Sequence, residues 1–390
     1  MAKKTLKNVT VADAYLAILA DRGVDYLFGN AGTDFAPMIE ALAKAQALGT
    51  PHPEPITCPH ENTAQHMAIG YYLVTGRPQL TMMHVNVGTA NGMNGLLNAS
   101  RGQTPMLFTA GRTPTNEDSL KGHRTLDIHW TQEMFDQNGM TREAVKWDYE
   151  LRNGEQVETV VDRALSVMMS DPKGPAYLSL PREVLAIEMD EVTFDSPSRI
   201  QPASASNPNA AALDEAASVL AKAEHPVIIT NWGGRNPKVM PALVELAENY
   251  AIPVVEYRNR FVAMPRHHPM FAGSNPNPFV EAADAILVMD CATPWLPSQV
   301  NPSEDCKVMH LAPDPHYSYL PIRGFRSDIA LAGSSELGLM ALNAAMEEPA
   351  KSNKSVIDRR RKEIADKHQN LEEIWAKKLE AVKGQTPLHP

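Results

Sequence analysis

Along the first half of the chain, short apolar runs alternate with stretches in which apolar residues return every three or four positions. The runs "VDYLF" (24–28), "QLTMMHV" (79–85), "PMLFTA" (105–110) and "AYLSL" (176–180) read as strands, and near-continuous apolar strands belong to sheets covered on both faces. Segments 34–46, 61–74, 89–101 and 155–170 read as helices. Strands alternating with helices imply crossover units and a parallel sheet. Residues 193–212, "TFDSPSRIQPASASNPNAAA", lose all periodicity and mark a domain boundary. Beyond them the alternation restarts with "PVIIT" (226–230), "IPVVEY" (252–257), "AILVMD" (285–290) and "KVMHLA" (307–312). The expected fold class is therefore α/β, with two doubly wound open sheets that are mainly parallel. The expected organisation is a first domain over 1–190, a linker over 191–210, a second domain over 211–350 and a charged helical tail over 351–390.

One predicted helix carries an anomaly. In "CPHENTAQHMAIGYYLVTG" (58–76), Ala64, Met67, Ala68, Tyr71 and Tyr72 share one apolar face by their three- and four-residue spacing. Counting back places Glu61 on that face, so its carboxylate is expected to point inward. Taken alone, Glu61 is also explained as an acidic residue favoured at a helix N-terminus by the helix dipole.

Composition narrows the function classes. The 390 residues, 43% hydrophobic and 21% charged, are ordinary for a soluble globular protein and too many for one compact core. A net charge of −10 argues against nucleic acid or an anionic membrane as the main partner. The "RRRK" run near the C-terminus is interleaved with acidic residues and reads as a solvated helix face. No run approaches the roughly 18 apolar residues of a membrane span, and the N-terminus lacks a signal-type apolar core. Cys58, Cys291 and Cys306 are odd in number and dispersed, neither a disulfide framework nor a zinc site, so a cytoplasmic location is expected.

In open parallel sheets, ligands bind beyond the carboxyl ends of strands. Three turns qualify here. "FGNAGTDF" (28–35) offers Gly29 and Gly32 for close approach, with Thr33 or Asp34 as a cap. The second is the turn into Glu61. "HVNVGTANGMNG" (84–95) places Gly88, Asn91 and Gly92 after His84. Each turn by itself is equally a structural feature, and His84 alone is more ordinary as a hydrogen-bonded structural histidine. Neither the G-x-G-x-x-G nor the G-x-x-x-x-G-K-[ST] pattern is present.

Taken together, residues 59–113 resemble the pyrimidine-binding domain of thiamine-diphosphate enzymes of the acetolactate synthase, benzoylformate decarboxylase and pyruvate oxidase family. The elements that match are His60-Glu61, Gly70-Tyr71, Thr75-Gly76, Gly88 with Asn91, and the strand from Pro105 to Gly111. "GVDYLFGNAGTDF" upstream, "GPAYLSLPREV" (174–184), and "HHPMFAG" with "ADAILVMDCATPWLP" in the second half extend the resemblance over nearly the whole chain. "ATPWLPSQ" (292–299) departs from the usual central-domain segment, leaving Trp295 as core or pocket lining.

The resemblance implies thiamine diphosphate as cofactor, with Glu61 hydrogen-bonding N1′ of the aminopyrimidine so that the 4′-nitrogen takes the thiazolium C2 proton. A desolvated position suits that task, because burial favours the neutral, donating form of a carboxyl group. His84 matches the histidine that handles protons on the substrate adduct in the benzoylformate decarboxylase branch, and Thr33 stands where that branch has a serine. The implied cofactor-binding residues are Glu61, Gly32, Gly88 and Asn91, and the implied substrate residues are Thr33, Asp34 and His84. The family's Mg²⁺ and diphosphate are held by a Gly-Asp-Gly domain, and no Gly-Asp-Gly occurs in this sequence. Mg²⁺ ligands are therefore expected on a second subunit rather than here. The expectation is a large subunit, in a dimeric or tetrameric core, acting on a 2-oxo acid or ketone. FAD or ADP occupies the central domain of some relatives. Trp232-Gly233-Gly234 is a candidate loop for it that reads more commonly as a plain turn, so FAD or ADP is left open and not predicted. The competing readings are a non-catalytic or regulatory family member and a nucleotide-binding protein using the central domain.

Overall fold

The computed structural model describes residues 2–387, so the end of the tail, 388–390, lies outside the described residues. The chain divides between Ser204 and Ala205 into two compact units.

In the first unit the strands are β1 (Ala2–Thr10), β2 (Tyr26–Asn30), β3 (Glu54–Thr57) and β4 (Leu80–Met83). They are followed by β5 (Leu107–Arg112), β6 (Trp147–Glu150), β7 (Ala176–Pro181) and β8 (Glu188–Ser196). Six of them form a wholly parallel sheet in the order β3-β2-β4-β5-β7-β6. The apolar runs supply its central strands. β4 is buried at every position and β7 likewise. β1 and β8 stand apart as an antiparallel ribbon in register from Ala2↔Ser196 to Thr10↔Glu188. β8 thus occupies the opening residues of the 191–210 segment, where the sequence pattern predicts no strand.

The helices that matter for the site are α1 (Val11–Asp21) and, following β2, β3 and β4 at their carboxyl ends, α2 (Ala36–Leu48), α3 (Glu61–Thr75) and α4 (Val85–Arg101). A capping box closes α1, in which Thr10 Oγ1 accepts from Asp13 N–H and the Asp13 carboxylate accepts from Thr10 N–H at 2.7 Å. α1 and the helix Val157–Met169 cover one face of the sheet with Leu16, Ile18, Val161 and Met168, while α3 and α4 cover the other with Ala64, Ala68, Leu96 and Ala99. α4 lies unusually close to its neighbours. A Cβ on Gly88 would fall 2.8 Å from Met83 Cβ, and one on Gly95 would fall 2.3 Å from Gln65 Cβ.

The buried face of α3 is Glu61, Ala64, Gln65, Ala68 and Tyr72. Glu61 faces inward as expected, but Met67 is exposed and Gln65 takes its place. The geometry explains the exchange: position 65 lies one full turn from 61, and Gln65 fits under the side-chain-free surface of α4.

In the second unit β9 (Pro226–Thr230), β10 (Val254–Glu256), β11 (Ala285–Met289), β12 (Lys307–Ala312) and β13 (Ile329–Ala332) form a parallel sheet in the order β10-β9-β11-β12-β13. Leu220, Leu243, Leu246, Leu287, Leu311 and Leu339 belong to its main core. Trp295 is core as well, buried edge-on against Phe325. Trp232-Gly233-Gly234 is a tight turn, with Gly233 N–H bonded to Thr230 Oγ1 and Trp232 N–H to Asp290 O, both at 3.1 Å.

The charged tail is a 29-residue helix, Lys354–Val382, with Ile357, Arg360, Ile364 and His368 buried. Arg360 donates to Leu220 O (3.0 Å), Ala223 O (2.8 Å) and Tyr250 O (2.7 Å). It therefore caps the carboxyl ends of the helices Ala210–Lys222 and Val239–Tyr250, where the last carbonyls of a helix lack internal partners. Most of this helix is solvated, as its charges suggest, but this stripe fastens it to the second unit. Among the described residues no helix is long and apolar enough to cross a membrane.

Candidate functional site

The strand order of the first sheet determines where a crevice opens. From β2 the chain steps outward to β3, then returns to place β4 on the other flank of β2. The β2/β4 boundary is the topological switch point, and the connections leaving these two strands diverge there. After β2 comes a short 3₁₀ turn, Thr33–Phe35. After β4 comes His84, and then α4 begins.

These two turns meet through side chains. Asp34, buried, places Oδ1 2.5 Å from His84 Nδ1 and accepts the Val85 N–H on Oδ2 at 3.2 Å. Two glycines make room for the pair. A Cβ on Gly32 would sit 2.0 Å from His84 Nδ1, and one on Gly111, in β5, would sit 1.7 Å from Asp34 Oδ2. Val85 takes φ +35°, a strained conformation for a β-branched residue. It turns the chain sharply so that His84 faces the crevice while α4 leaves in another direction.

The hydrogen bond that His84 donates to Asp34 raises the pKa of His84 above its ordinary value, against the opposing effect of burial, and the Asp34 and Glu61 charges add to the rise. At the other ring nitrogen, the Gln132 amide nitrogen lies 3.2 Å from His84 Nε2, while the buried Gln132 Oε1 has no partner. With its nitrogen toward the ring, the amide donates to a neutral imidazole. Turned over, its carbonyl accepts from the N–H of an imidazolium. Gln132 thus matches His84 in either protonation state.

Glu61 opens α3 behind the N-cap His60, whose Nδ1 accepts the Asn62 N–H at 3.0 Å. Its side chain is 10% exposed. Oε1 accepts from Asn91 Nδ2 at 3.2 Å. Among the described residues Oε2 has no hydrogen-bond partner, with His60 Nδ1 at 3.9 Å.

The segment between β5 and β6 adds groups that the sequence does not single out. His129 is buried, and its Nδ1 accepts the N–H groups of Thr125 (3.1 Å) and Leu126 (3.4 Å). The ring proton therefore lies on Nε2, which faces Thr33 Oγ1 at 3.5 Å. Burial, then the charges of Arg182 and Arg124, push His129 below its ordinary pKa, so it is neutral where His84 tends to be charged. Arg182, 7% exposed, ties the layers together: Nε donates to Gly122 O (2.9 Å), Nη1 to Thr33 O (3.3 Å) and Nη2 to His123 O. Glu133 fastens the same segment by accepting from Thr113 (2.5 Å), Arg112 (2.8 Å) and Arg124 (2.9 Å).

Of the residues picked from the sequence, Thr33, Asp34 and His84 lie together at the switch point with Gly32 beneath them, and Glu61 is paired with Asn91. Gly88 packs against Met83, which accounts for its lack of a side chain. His129, Gln132 and Arg182 are additions from the fold. Arg182 sits inside the "LPREV" stretch, and the histidine-bearing polar loop around 129 is the available hint for the rest. Among the described residues, no cluster of three or more His, Cys, Asp or Glu side chains could hold a metal ion.

Known proteins share this arrangement of sheets. Residues 9–140 match the family model for the thiamine pyrophosphate enzyme N-terminal TPP binding domain, and residues 213–340 match that for the central domain of the same enzymes. Sulfoacetaldehyde acetyltransferase of Rhodobacter capsulatus is 28% identical over 266 residues, covering 68% of this chain and 42% of the relative. Acetolactate synthase of Arthrospira platensis is 25% identical over 70% of this chain and 45% of its own length. Benzoylformate decarboxylase of Pseudomonas aeruginosa is 27% identical over 72% and 51%, respectively. The chain thus spans about half the length of these relatives. The crystal structure of benzoylformate decarboxylase from Polynucleobacter necessarius superposes with a TM-score of 0.69 at 21% identity, covering 86% of this chain and 61% of that one, and shares the fold. With both domain models matched in order along two parallel α/β units, the chain belongs to the thiamine pyrophosphate enzyme family.

Proposed function

We propose that this chain is the large, pyrimidine-binding subunit of a two-component thiamine-diphosphate enzyme. Its substrates are 2-oxo acids or related ketones, which it decarboxylates or whose carbon–carbon bonds it cleaves or forms. The observation that carries the reading is the Asp34–His84 pair at the β2/β4 switch point, within electrostatic reach of the inward-facing Glu61.

The residues present suit the aminopyrimidine end of the cofactor. Glu61 offers a shielded carboxylate with one oxygen held by Asn91 and the other unbonded among the described residues. That free oxygen is what a ring nitrogen needs as a partner. When bound, thiamine diphosphate supplies a nucleophilic carbon and an electron sink for the substrate carbonyl. Asn91 holds Glu61 in one rotamer, and Glu61 holds or releases the proton shared with the cofactor ring. His84 gives up or takes a proton at Nε2 while Asp34 retains the proton on Nδ1, and Gln132 supports either state. Thr33 Oγ1, backed by the neutral His129, hydrogen-bonds the substrate carboxylate. Gly32 leaves the space that His84 occupies.

We assign the Mg²⁺–diphosphate ligands to a second polypeptide, with the active site completed in a cytoplasmic assembly built on a dimeric or tetrameric core. Mixing this chain with a polypeptide that bears a Gly-Asp-Gly diphosphate domain, thiamine diphosphate and Mg²⁺ should give turnover of a 2-oxo acid that neither component shows alone. A mixture that neither binds cofactor nor consumes any 2-oxo acid would overturn the proposal.

A further inference from the structure

A cavity of about 430 Å³ opens in the first unit, where α2 begins and the 121–125 loop passes, within the range of small-molecule sites. It is separate from the Glu61–His84 crevice, since neither residue lines it. Its walls are largely apolar, with Ala36, Pro37, Ala41 and Ala186 among them.

The charged groups around it are unevenly satisfied. Asp13 is paired with Lys44 at 2.8 Å and accepts the Thr10 N–H. At the rim, Lys121 pairs with Glu188 at 2.8 Å, in solvent. Glu40 faces this lysine and reinforces its charge. Arg182 differs from all of these. It is buried, it lines the cavity, and its hydrogen bonds go to the three carbonyls of Gly122, Thr33 and His123. Among the described residues no carboxylate lies within ion-pair distance of it. A guanidinium carries five N–H donors, so two remain after those three bonds, on a buried cation that feels the Glu183 and Asp34 carboxylates through space but forms an ion pair with neither among the described residues.

We propose that this cavity is a second ligand site, taking a small organic carboxylate whose anionic head pairs with Arg182 and whose apolar body lies against Ala36, Ala41 and Ala186. The occupant is an effector of the Thr33–His84 site. Two of the cavity's walls are the parts that hold that site in place: Arg182 bonds the Thr33 carbonyl, and the Thr125 N–H fixes the tautomer of His129. Binding here is independent of the thiamine reading, because it is measured on the chain alone.

Calorimetric titration of the full chain with acetate, hexanoate and benzoate, without thiamine diphosphate, tests it. The expected result is single-site binding of hexanoate or benzoate, weaker by about tenfold or more for the matching amides and for Arg182→Gln, the loss of one charge-assisted contact. Ala186→Leu, which puts three further carbons into the cavity and leaves Arg182 in place, should weaken binding markedly while the far-ultraviolet dichroism stays native. If Arg182→Gln does not fold, the amides and Ala186→Leu decide the matter. The ring resonances of His129 should shift on saturation. The site is refuted if none of the three acids binds, if amides bind as well as acids, or if Ala186→Leu binds unchanged. Binding that leaves the His129 resonances in place refutes the effector role.

Discussion

The two sheets begin with the same strand order yet make opposite use of it. In the first, the switch point lies between β2 and β4. In the second it lies between β9 and β11, because the chain steps out to β10 and returns on the other flank of β9. The first crevice is built from side chains, with an aspartate and a histidine 2.5 Å apart in space that glycines leave open. At the second, backbone meets backbone: Trp232 N–H bonds Asp290 O, and Gly234 lies so close to Val262 that a Cβ would fall 2.1 Å from its carbonyl oxygen. The second unit also has a strand histidine, His310 in β12, but its neighbours reverse its character. Nδ1 accepts from Arg323 at 3.2 Å and Nε2–H donates to Arg326 O at 3.0 Å. Burial and then the Arg323 charge push His310 down to about 4. The neighbours, more than the sheet, decide whether a histidine exchanges protons or packs.

The most severe break in this contrast is Glu61→Gln, which should lower turnover of the assembled enzyme by about 10²-fold or more and leave the thermal transition of the chain near its original position. His310→Gln should leave turnover alone and change acid stability instead. A histidine depressed from 6.5 to about 4 contributes stability above pH 6.5 that is lost as pH falls through 4, roughly 3 kcal/mol in all. Denaturant titrations between pH 7 and 4 should show that slope in the wild type and not in the variant. Gly111→Ala and Gly234→Ala, each forcing a Cβ onto an oxygen, should both cost about 1–3 kcal/mol. Only Gly111→Ala should move the titration of His84, followed by proton NMR. The gentlest test is Asp34→Asn. His84 is raised above 6.5 by this partner, so the pair's contribution is complete below pH 6.5 and fades as pH climbs through the raised value. The variant should bring the His84 titration down and remove that dependence.

The central strands of both parallel sheets were legible because they are apolar runs, whereas the edge strands β3, β6 and β13, exposed or only partly buried, went unnamed. The inward turn of Glu61 was legible from helical spacing. The ribbon β1–β8 was hidden by its own exposure: "AKKTLKNVT" is solvated at most positions, so no apolar run announces it. Gln65 was passed over for Met67 because a polar residue at a buried position carries no hydrophobic signal. Thr33, Asp34 and His84 could be named from turn chemistry and resemblance. The 2.5 Å contact between Asp34 and His84 could not, since those residues are fifty positions apart. His129 and Gln132 belong to a four-residue helix, Ile128–Thr131, and its C-cap, too short to show a period, and only the folded chain brings them to the ring of His84 and the hydroxyl of Thr33. The tail's buried stripe was masked because two of its four members, Arg360 and His368, are polar.

Arg360 also bears on how firmly the tail helix is held. Its partners are the carbonyls of Leu220, Ala223 and Tyr250 rather than carboxylates, and its group stays cationic, at about 10, despite burial. Dissolved salt weakens attraction between exposed charges far more than it weakens a buried cation on oriented carbonyls. A helix whose surface is a patchwork of lysines, arginines and glutamates would be expected to loosen in brine. This one is also fixed at a point that ions do not reach, so the Arg360 anchor weakens with ionic strength far less than the exposed pair that Arg359 of the same helix makes with Glu224.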